Sequence, residues 1–139
     1  MLAVEVAQRL AANIADLTFS LTSTGNVRIG SMPTSPDLAV GIWPTGGPES
    51  STKTGYDERG LQVRVRGTSD PRTGYDLGVA IYDDLHGMEY VTLPGGTLVV
   101  SAKGIQSEPV SIGEDAQGRH EYTLNFRLEV RNPTPNRQE

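Results

Sequence analysis

The segment from Gly60 to Gly87 constrains the fold most strongly, because an alternation typical of a strand is followed there by the residue pattern of a capped helix. From Leu61 to Arg66 apolar residues alternate with polar ones, which is typical of a strand with one buried face. Only that face can belong to a core. Arg64 and Arg66 are therefore expected side by side on the other face, where they meet water, a carboxylate or another subunit.

The residues after this strand predict a helix that begins at Pro71 and ends near His86. Proline is favoured in the first turn of a helix, where its missing N–H has no helical partner. A hydroxyl or carboxylate side chain at positions 68 to 70 can cap the helix. Gly87 tolerates the left-handed conformation that is common just after a helix. The segment thus predicts a strand, a short turn and a helix in succession.

The N-terminal part of the chain predicts one further helix and one further strand. Apolar residues recur at spacings of three and four from Leu2 to about Leu17, which indicates an amphipathic helix packed on a sheet. Residues 22–36 predict a connector or at most a short irregular strand, and Leu38–Trp43 predicts a strand that Pro44 ends. The polar segment Thr45–Gly60 has no period of its own and predicts a long loop.

The C-terminal part contains the most regular strand pattern. Residues alternate from His120 to Val130, which predicts a strand with one buried face, paired as an antiparallel hairpin with a strand from Thr97 to Lys103. Residues 132–139 have two prolines and no apolar side chain, and they predict a disordered tail. The expected architecture is α+β: residues 1–131 form a single domain with one mixed or antiparallel sheet of about four to five strands and two helices on one face.

Composition excludes several classes of function. The chain has 139 residues and no cysteine, so it has no disulfide, thiol nucleophile or thiolate metal site. With 17 acidic and 12 basic residues its net charge is −5, which argues against a dedicated nucleic-acid binder. No apolar run approaches the roughly 20 residues that span a bilayer, and the N-terminus lacks the pattern of a secretory signal. The sequence predicts a soluble protein that is not exported and has no membrane partner.

No arrangement of residues points to catalysis. The two histidines, His86 and His120, lack the spacing of metal ligands. Asp83 and Asp84 are neighbours on a predicted helix and point in different directions, which does not suit a pair of catalytic carboxylates. The phosphate-binding glycine motifs and the GxSxG motif of serine hydrolases do not occur in a suitable context. We therefore expect no enzymatic activity, no metal site and no cofactor.

Two features suggest contact with another protein, and each has a plainer alternative. Arg64 and Arg66 can pair with carboxylates of a neighbouring subunit, or they can simply decorate an exposed sheet face. Trp43 ends a strand just before the long loop. It can fill a gap in the core or anchor an interface.

Several short motifs occur in a fixed order along the chain. They are Gln62-Val63-Arg64-Val65-Arg66-Gly67, Asp70-Pro71-Arg72, Tyr75-Asp76-Leu77, Ile81-Tyr82 and Leu85-His86-Gly87, preceded by Trp43-Pro44-Thr45-Gly46-Gly47. In this order they resemble the minor capsid or tail terminator proteins of long-tailed bacteriophages. The likeness is closest in the middle of the chain, and the order of the predicted elements fits beyond it.

This resemblance implies a structural protein of the virion. Such a subunit forms a ring, usually a hexamer, that caps the tail tube, stops its polymerisation and joins the tail to the head connector. The implied partners are other copies of the chain, the tail tube protein and a head connector or stopper protein, while DNA passes through the lumen without specific binding. The implied location is the tail-neck junction, after assembly in the host cytoplasm. The expected contacts with a subunit or the tube are Trp43, Tyr56, Asp57, Glu58, Arg59, Arg64, Arg66, Arg72 and Asp76.

Three other functions compete with this interpretation. A different neck protein, such as a stopper or an adaptor, would have a related α+β fold. A monomeric cellular module could bind a small molecule or a peptide on an open sheet face. An uncharacterised enzyme is disfavoured, because no nucleophile, base or metal ligand clusters in the sequence.

Overall fold

The computed structural model describes residues 1–22 and 24–138, which form two helices and one seven-stranded sheet. One strand pair is parallel and the others are antiparallel, so the sheet is mixed. The α+β class with a single sheet is confirmed, whereas the expected number of four to five strands is wrong. In chain order the elements are α1 (Leu2–Asn13), β1 (Val27–Ile29), β2 (Ala39–Gly46), β3 (Tyr56–Arg66), α2 (Pro71–Leu85), β4 (Glu89–Thr92), β5 (Leu98–Gly104), β6 (Val110–Glu114) and β7 (His120–Arg131).

Strand β7 is the centre of the sheet. The strands are ordered β1-β2-β3-β7-β5-β4, and β6 also pairs with β7. Strand β3 pairs with β7 from Tyr56 opposite Arg131 to Arg66 opposite Glu121. On the other edge of β7, β5 pairs with its C-terminal half and β6 with its N-terminal half. The predicted antiparallel pairing of the Thr97 segment with β7 is confirmed, although β6 intervenes in the chain.

The three strands beyond those firmly predicted are short, and β1 falls where the sequence allowed a short irregular strand. Strands β1, β4 and β6 contain 3, 4 and 5 residues, which is too few for an alternating pattern to stand out. They form because longer neighbours offer free backbone groups: β1 pairs with β2, β4 with β5, and β6 with β7.

Both helices pack on the same face of the sheet. The buried side chains of α1 and α2 join those of the strands in one apolar cluster that includes Leu10, Ile81, Val63 and Phe126. The helices also contact each other, because Arg9 Nε lies 3.1 Å from Asp84 Oδ2. This packing leaves the other face of the sheet without a helix, and we call it the outer face.

Several boundaries differ from those predicted. Helix α1 ends at Asn13 rather than near Leu17, while α2 begins at Pro71 as predicted and Asp70 caps it by accepting a hydrogen bond from Arg72 N (3.0 Å). Pro44 does not end β2, because an irregularity in the β2–β3 register between Pro44 and Gly46 accommodates it. Strand β3 begins at Tyr56, so the loop is shorter than expected and covers residues 47–55.

The tail predicted from Asn132 onward has a defined path up to Gln138 in the structure, with a bridge between Thr134 and Arg137. The division into a domain and a disordered tail stays a prediction. Neither α1 nor α2, the helices of the described residues, is long and apolar enough to cross a membrane.

Candidate assembly surface

The centre of the outer face is a row of residues that are paired across four strands. Gly41 of β2 lies opposite Arg64 of β3, Arg64 opposite Thr123 of β7, and Thr123 opposite Val110 of β6. Residues paired in this way point to the same side of a sheet. The ring of Trp43 lies over Gly41, where a Cβ would collide with it.

The residues around this row form a patch of aromatic, cationic and amide groups. We define the outer-face patch as Trp43, Gln62, Arg64, Thr123 and Asn125. The Arg64 guanidinium carbon lies 5.0 Å from the centroid of the Trp43 ring, which is within the range of a cation–π contact. Trp43 therefore packs on the outer face and does not belong to the buried core cluster.

Arg64 makes only neutral polar contacts within the described residues. Its Nε donates to Gln62 Oε1 (3.3 Å), and Gln62 Nε2 donates to Asn125 Oδ1 (3.4 Å). No carboxylate between residues 1–22 or 24–138 forms an ion pair with Arg64. The charge of the exposed Arg64 is therefore not neutralised by a carboxylate of these residues. A tryptophan beside an arginine is also the composition that dominates the binding energy of many interfaces.

Arg66 differs from Arg64, although both belong to the polar register of β3. Its side chain is only 4% exposed and donates to the carbonyls of Pro36 (2.7 Å) and Asp37 (3.0 Å). Burial lowers the pKa of Arg66 from its ordinary value. The expectation that Arg64 and Arg66 stand together on an exposed face is wrong, because the segment before β2 covers the end of β3.

The predicted contact residues Tyr56, Asp57, Glu58 and Arg59 are the first four of β3 and not part of a loop. Tyr56 is exposed, whereas Asp57 is 8% exposed. On the outer face Glu58 Oε1 lies 2.7 Å from Arg127 Nε of β7. The four residues therefore include a buried carboxylate, that of Asp57, and an exposed ion pair made by Glu58.

Asp57 is bound by the C-terminal residues. Arg137 Nη2 donates to Asp57 Oδ1 (2.7 Å) and Asn132 Nδ2 donates to Asp57 Oδ2 (3.1 Å). Arg137 also donates to the carbonyls of Thr54 (2.8 Å) and Tyr56 (3.1 Å). The hydrogen bond from Arg137 is the largest cause that holds the pKa of Asp57 far below its usual range, against burial, which raises it. We call this contact the tail clamp: Asp57, Asn132 and Arg137.

Arg72 and Asp76 belong to α2 and lie on the helical side of the sheet, away from the outer-face patch. Arg72 Nη2 lies 2.9 Å from Asp70 Oδ2 in an exposed ion pair. Hydrogen bonds from Arg72 lower the pKa of Asp70 to about 2. The nine expected contact residues therefore do not form one site, and their role in assembly stays a prediction.

The structure brings no catalytic constellation together in the described residues. His86 Nδ1 accepts a hydrogen bond from Gly104 N (2.9 Å). His120 Nε2 lies 3.3 Å from Oε1 of Glu114, the last residue of β6. No group of three potential metal ligands occurs in residues 1–22 and 24–138. A cavity of about 440 Å³ lies beneath residues 48–51 and has both acidic and basic side chains.

Sequence reasoning missed an exposed apolar flank beside the outer-face patch. Val110 and Ile112 of β6 are exposed, and so is Ile105, which directly follows β5. Three β-branched residues within a short polar stretch were the available signal. The sequence assigns no separate strand to that stretch, and the pairing of β6 with β7 shifts register between Ser111 and Gly113.

Comparisons with known proteins agree with this architecture. The family model described as bacteriophage tail terminator protein matches residues 11–132. Among solved structures, a chain from "Virion of native gene transfer agent (GTA) particle" has a similar fold, with a TM-score of 0.63, 20% identity, and coverage of 94% of this chain and 95% of that chain. A search of curated proteins finds no match.

This chain, with its single open sheet and helices on one face, is a structural protein of a virion tail. The chain belongs to the bacteriophage tail terminator protein family, because the family model covers most of its length. Its location is the virion. The resemblance seen in the central motifs is thereby confirmed.

Proposed function

We propose that this protein forms a ring, most simply a hexamer, that caps the tail tube, stops its polymerisation and joins the tail to the head connector. The observation that carries the proposal is the match of the tail terminator family over residues 11–132. The whole sheet and both contact surfaces, the outer-face patch and the flank at β6, fall within these residues.

The sheet has the open edges that an assembling subunit needs. Strands β1, β4 and β6 each have one edge that no strand of the described residues pairs. Unpaired strand edges can join another chain through backbone hydrogen bonds. Contacts that use two different surfaces of the same subunit close into a ring when the rotation between the copies is suitable.

The outer-face patch supplies side chains suited to a partner. Arg64 is held against Trp43 and has no ion-pair partner in residues 1–22 and 24–138. A carboxylate of a neighbouring subunit or of the tube would lose its water on contact, which strengthens the pair relative to an open surface. Arg64 and Trp43 are therefore the first candidates for a contact in the assembled tail.

The charge of the subunit suits a ring through which DNA passes. The chain carries a net charge of −5, so a ring of several copies is strongly acidic as a whole. Acidic walls repel phosphate and let DNA move without specific binding. The loop at residues 47–55 is polar and stands at one end of β3, where it can meet the tube or the connector.

The experiment is a measurement of mass by light scattering after size exclusion, with electron microscopy of the same fractions. We expect rings of about six subunits at high protein concentration, because closed cyclic symmetry is the common outcome of such contacts. The ring is then added to polymerising tube protein. A chain that stays monomeric and leaves the tubes uncapped contradicts the proposal.

A second candidate is a different neck protein. The virion chain of similar fold is described only by the particle to which it belongs, so the fold alone does not separate a terminator from a stopper or an adaptor. A pull-down with tube protein and with portal protein separates them. A terminator binds the tube protein, whereas an adaptor binds the portal protein alone.

A further inference from the structure

A groove of about 510 Å³ lies on the helical side of the sheet, between the residues that follow α1 and the first half of α2. It is lined by apolar and acidic side chains, among them Ile14, Leu38, Leu77, Ala80, Asp16 and Asp76. Ile14 and Leu38 are half-buried and Ala80 is exposed, so apolar surface remains open to solvent there. The groove therefore combines an apolar floor with carboxylates.

Two carboxylates of the groove are not neutralised. Asp16 and Asp76 are exposed and form no ion pair with residues 1–22 and 24–138. Arg72 also lines the groove but is bound to Asp70, with its Nε 3.1 Å from Oδ1 and its Nη2 2.9 Å from Oδ2. The groove thus has an acidic charge that a cation from another chain can neutralise.

The outer-face patch has the complementary composition. The half-buried Trp43 lies over Gly41, and its ring centroid is 5.0 Å from the Arg64 guanidinium carbon. Arg28 of β1 lies opposite Gly41 on the other side, in the same row as Arg64. Neither arginine has a carboxylate partner in the part of the chain that the structure describes. The patch thus presents an aromatic ring between two cations.

Charged side chains without an ion pair are distributed unequally between the two sides of the sheet. On the helical side, those of the described residues are acidic and include Asp16, Asp76 and Asp83. Those on the outer face are mixed: the cations include Arg28, Arg64, Lys103 and Arg131, and the carboxylates include Glu89, Glu121 and Glu129. The row that joins Arg28 to Arg64 contains no carboxylate. The centre of the outer face is therefore cationic, whereas the helical side is acidic.

We infer that the groove of one copy of this chain receives Trp43 and Arg64 of the next copy, with Asp76 as the ion-pair partner of Arg64; this inference rests on the proposed function. The occupant is a second copy because one chain carries both complementary surfaces. They lie on opposite sides of one sheet, so they cannot meet within a subunit. Each copy then uses its patch for one neighbour and its groove for the other, and such a contact closes into a ring when the rotation is suitable.

Charge favours this contact over the contacts of like surfaces. Two copies of a chain with a net charge of −5 repel each other. Groove against groove adds to that repulsion, whereas patch against groove brings opposite charges together. Arg64 is already held by Trp43 and by the hydrogen bond to Gln62, so it loses little conformational freedom when it binds. Tryptophan and arginine are also the residues that most often dominate an interface.

The test exchanges the two charges of the contact, first in separate chains and then in one chain. Arg64 and Asp76 are exposed, so Arg64→Glu and Asp76→Arg should each keep the circular dichroism and melting temperature of the parent. We expect each variant alone to be a monomer in light scattering at concentrations where the parent forms rings, because like charges then face each other. An equal mixture of the two variants should form rings again, and so should the chain that carries both substitutions.

Two matched controls change the same charges outside the contact. Asp83→Arg alters a second exposed and unpaired carboxylate of α2 that does not line the groove. Arg131→Glu alters an exposed and unpaired arginine at the end of β7, away from the patch. Both controls should form the same rings as the parent.

Four results would overturn the inference. Rings in Arg64→Glu or Asp76→Arg alone, or their loss in a control, would show that this pair is not the contact, while tubes capped by the parent would uphold the proposed function. If the mixture and the double variant stay monomeric, Arg64 and Asp76 do not face each other. If Arg64→Glu forms rings that no longer cap tubes, the patch binds the tube protein instead. If the unchanged chain neither forms rings nor caps tubes, the proposed function fails together with the inference.

Discussion

Arg137 and Asp57 are 80 positions apart and form a hydrogen-bonded ion pair in which Arg137 Nη2 lies 2.7 Å from Asp57 Oδ1. The pair fastens the C-terminal residues to the start of β3. Arg137 also binds the carbonyl of Thr54, so the same side chain holds the exit of the loop at residues 47–55. The orientation of this loop in the subunit therefore depends on the C-terminal residues.

The variant Arg137→Ala should lower the free energy of unfolding by about 3 kcal/mol, because it removes the closest cation of the buried Asp57 carboxylate. Only the longer contact with Arg59 Nη2, 3.5 Å from Asp57 Oδ2, then remains. Arg127→Ala is the control. It removes an ion pair with Glu58 that is half exposed, and such pairs contribute about 0 to 1 kcal/mol. Urea denaturation of both variants measures the difference. If both variants lose the same free energy of unfolding, Arg137 does not stabilise the buried Asp57 carboxylate.

Stability should fall in acid partly through Asp57. Its pKa is far below its usual range in the folded chain because of the Arg137 hydrogen bond, whereas in the unfolded chain it is about 3.9. A lowered folded-state pKa stabilises the protein fully above the unfolded value, and this contribution is lost as the pH falls toward the folded value. The stability difference between the parent and Asp57→Asn should thus be largest above about pH 4 and shrink toward pH 2.

The comparison of the parent with Asp57→Asn also controls for other carboxyl groups that titrate in acid. Asp70, with a pKa of about 2, and Asp115, whose pKa is lowered against burial by hydrogen bonds from Arg119 and Gln117, shift the acid stability in the same direction. Both groups are present in Asp57→Asn, so subtraction isolates Asp57. Parallel pH profiles for the parent and the variant would refute the assignment.

Replacing Arg64 and Arg66 separately with glutamate should give opposite results. Arg64→Glu changes an exposed side chain, so the monomer should stay folded while ring formation is lost. Arg66→Glu places a carboxylate against the carbonyls of Pro36 and Asp37, and should cost about 3 kcal/mol or more in stability. Melting temperature and light scattering measure the two effects. If rings form normally in Arg64→Glu, Arg64 is not a contact between subunits and only makes the exposed sheet face soluble.

Gly78→Ala should destabilise the protein although alanine is the better helix former. The gain in helix propensity is about 1 kcal/mol, but the new Cβ would lie 2.7 Å from Pro109 Cγ and overpacking of this kind costs about 1 to 3 kcal/mol. Ala80→Gly, at an exposed position two residues on, measures the propensity difference alone. A stability gain in Gly78→Ala would mean that Pro109 moves freely, and that β6 is not held at its start.

The sequence predicted those elements that carry their own pattern over many residues. Helix α2 has a capped start, a proline in its first turn and a glycine after its end, and β7 alternates over twelve residues. Strands β1, β4 and β6 have no such pattern, because they form only where a longer strand offers them backbone partners. Their existence depends on tertiary contacts that a local pattern does not contain.

The candidate site was predicted less completely for a similar reason. Trp43 and Arg64 were each named as candidate contacts from the sequence, but their contact with each other depends on the register of β2 with β3. Arg66 shares the alternation of Arg64, and only the path of the segment before β2 buries it. The contact between Asp57 and Arg137 joins distant parts of the chain, so nothing near either residue indicates it.

The most direct test of the proposed function is the length of tail tubes polymerised from the tube protein with and without this chain, measured by electron microscopy. We expect tubes that end in a ring of added density and that stop growing once the ring is bound, in proportion to the amount of chain added. Tubes that grow to the same length with bare ends, at concentrations where the chain is folded, would contradict the proposal that it terminates the tail.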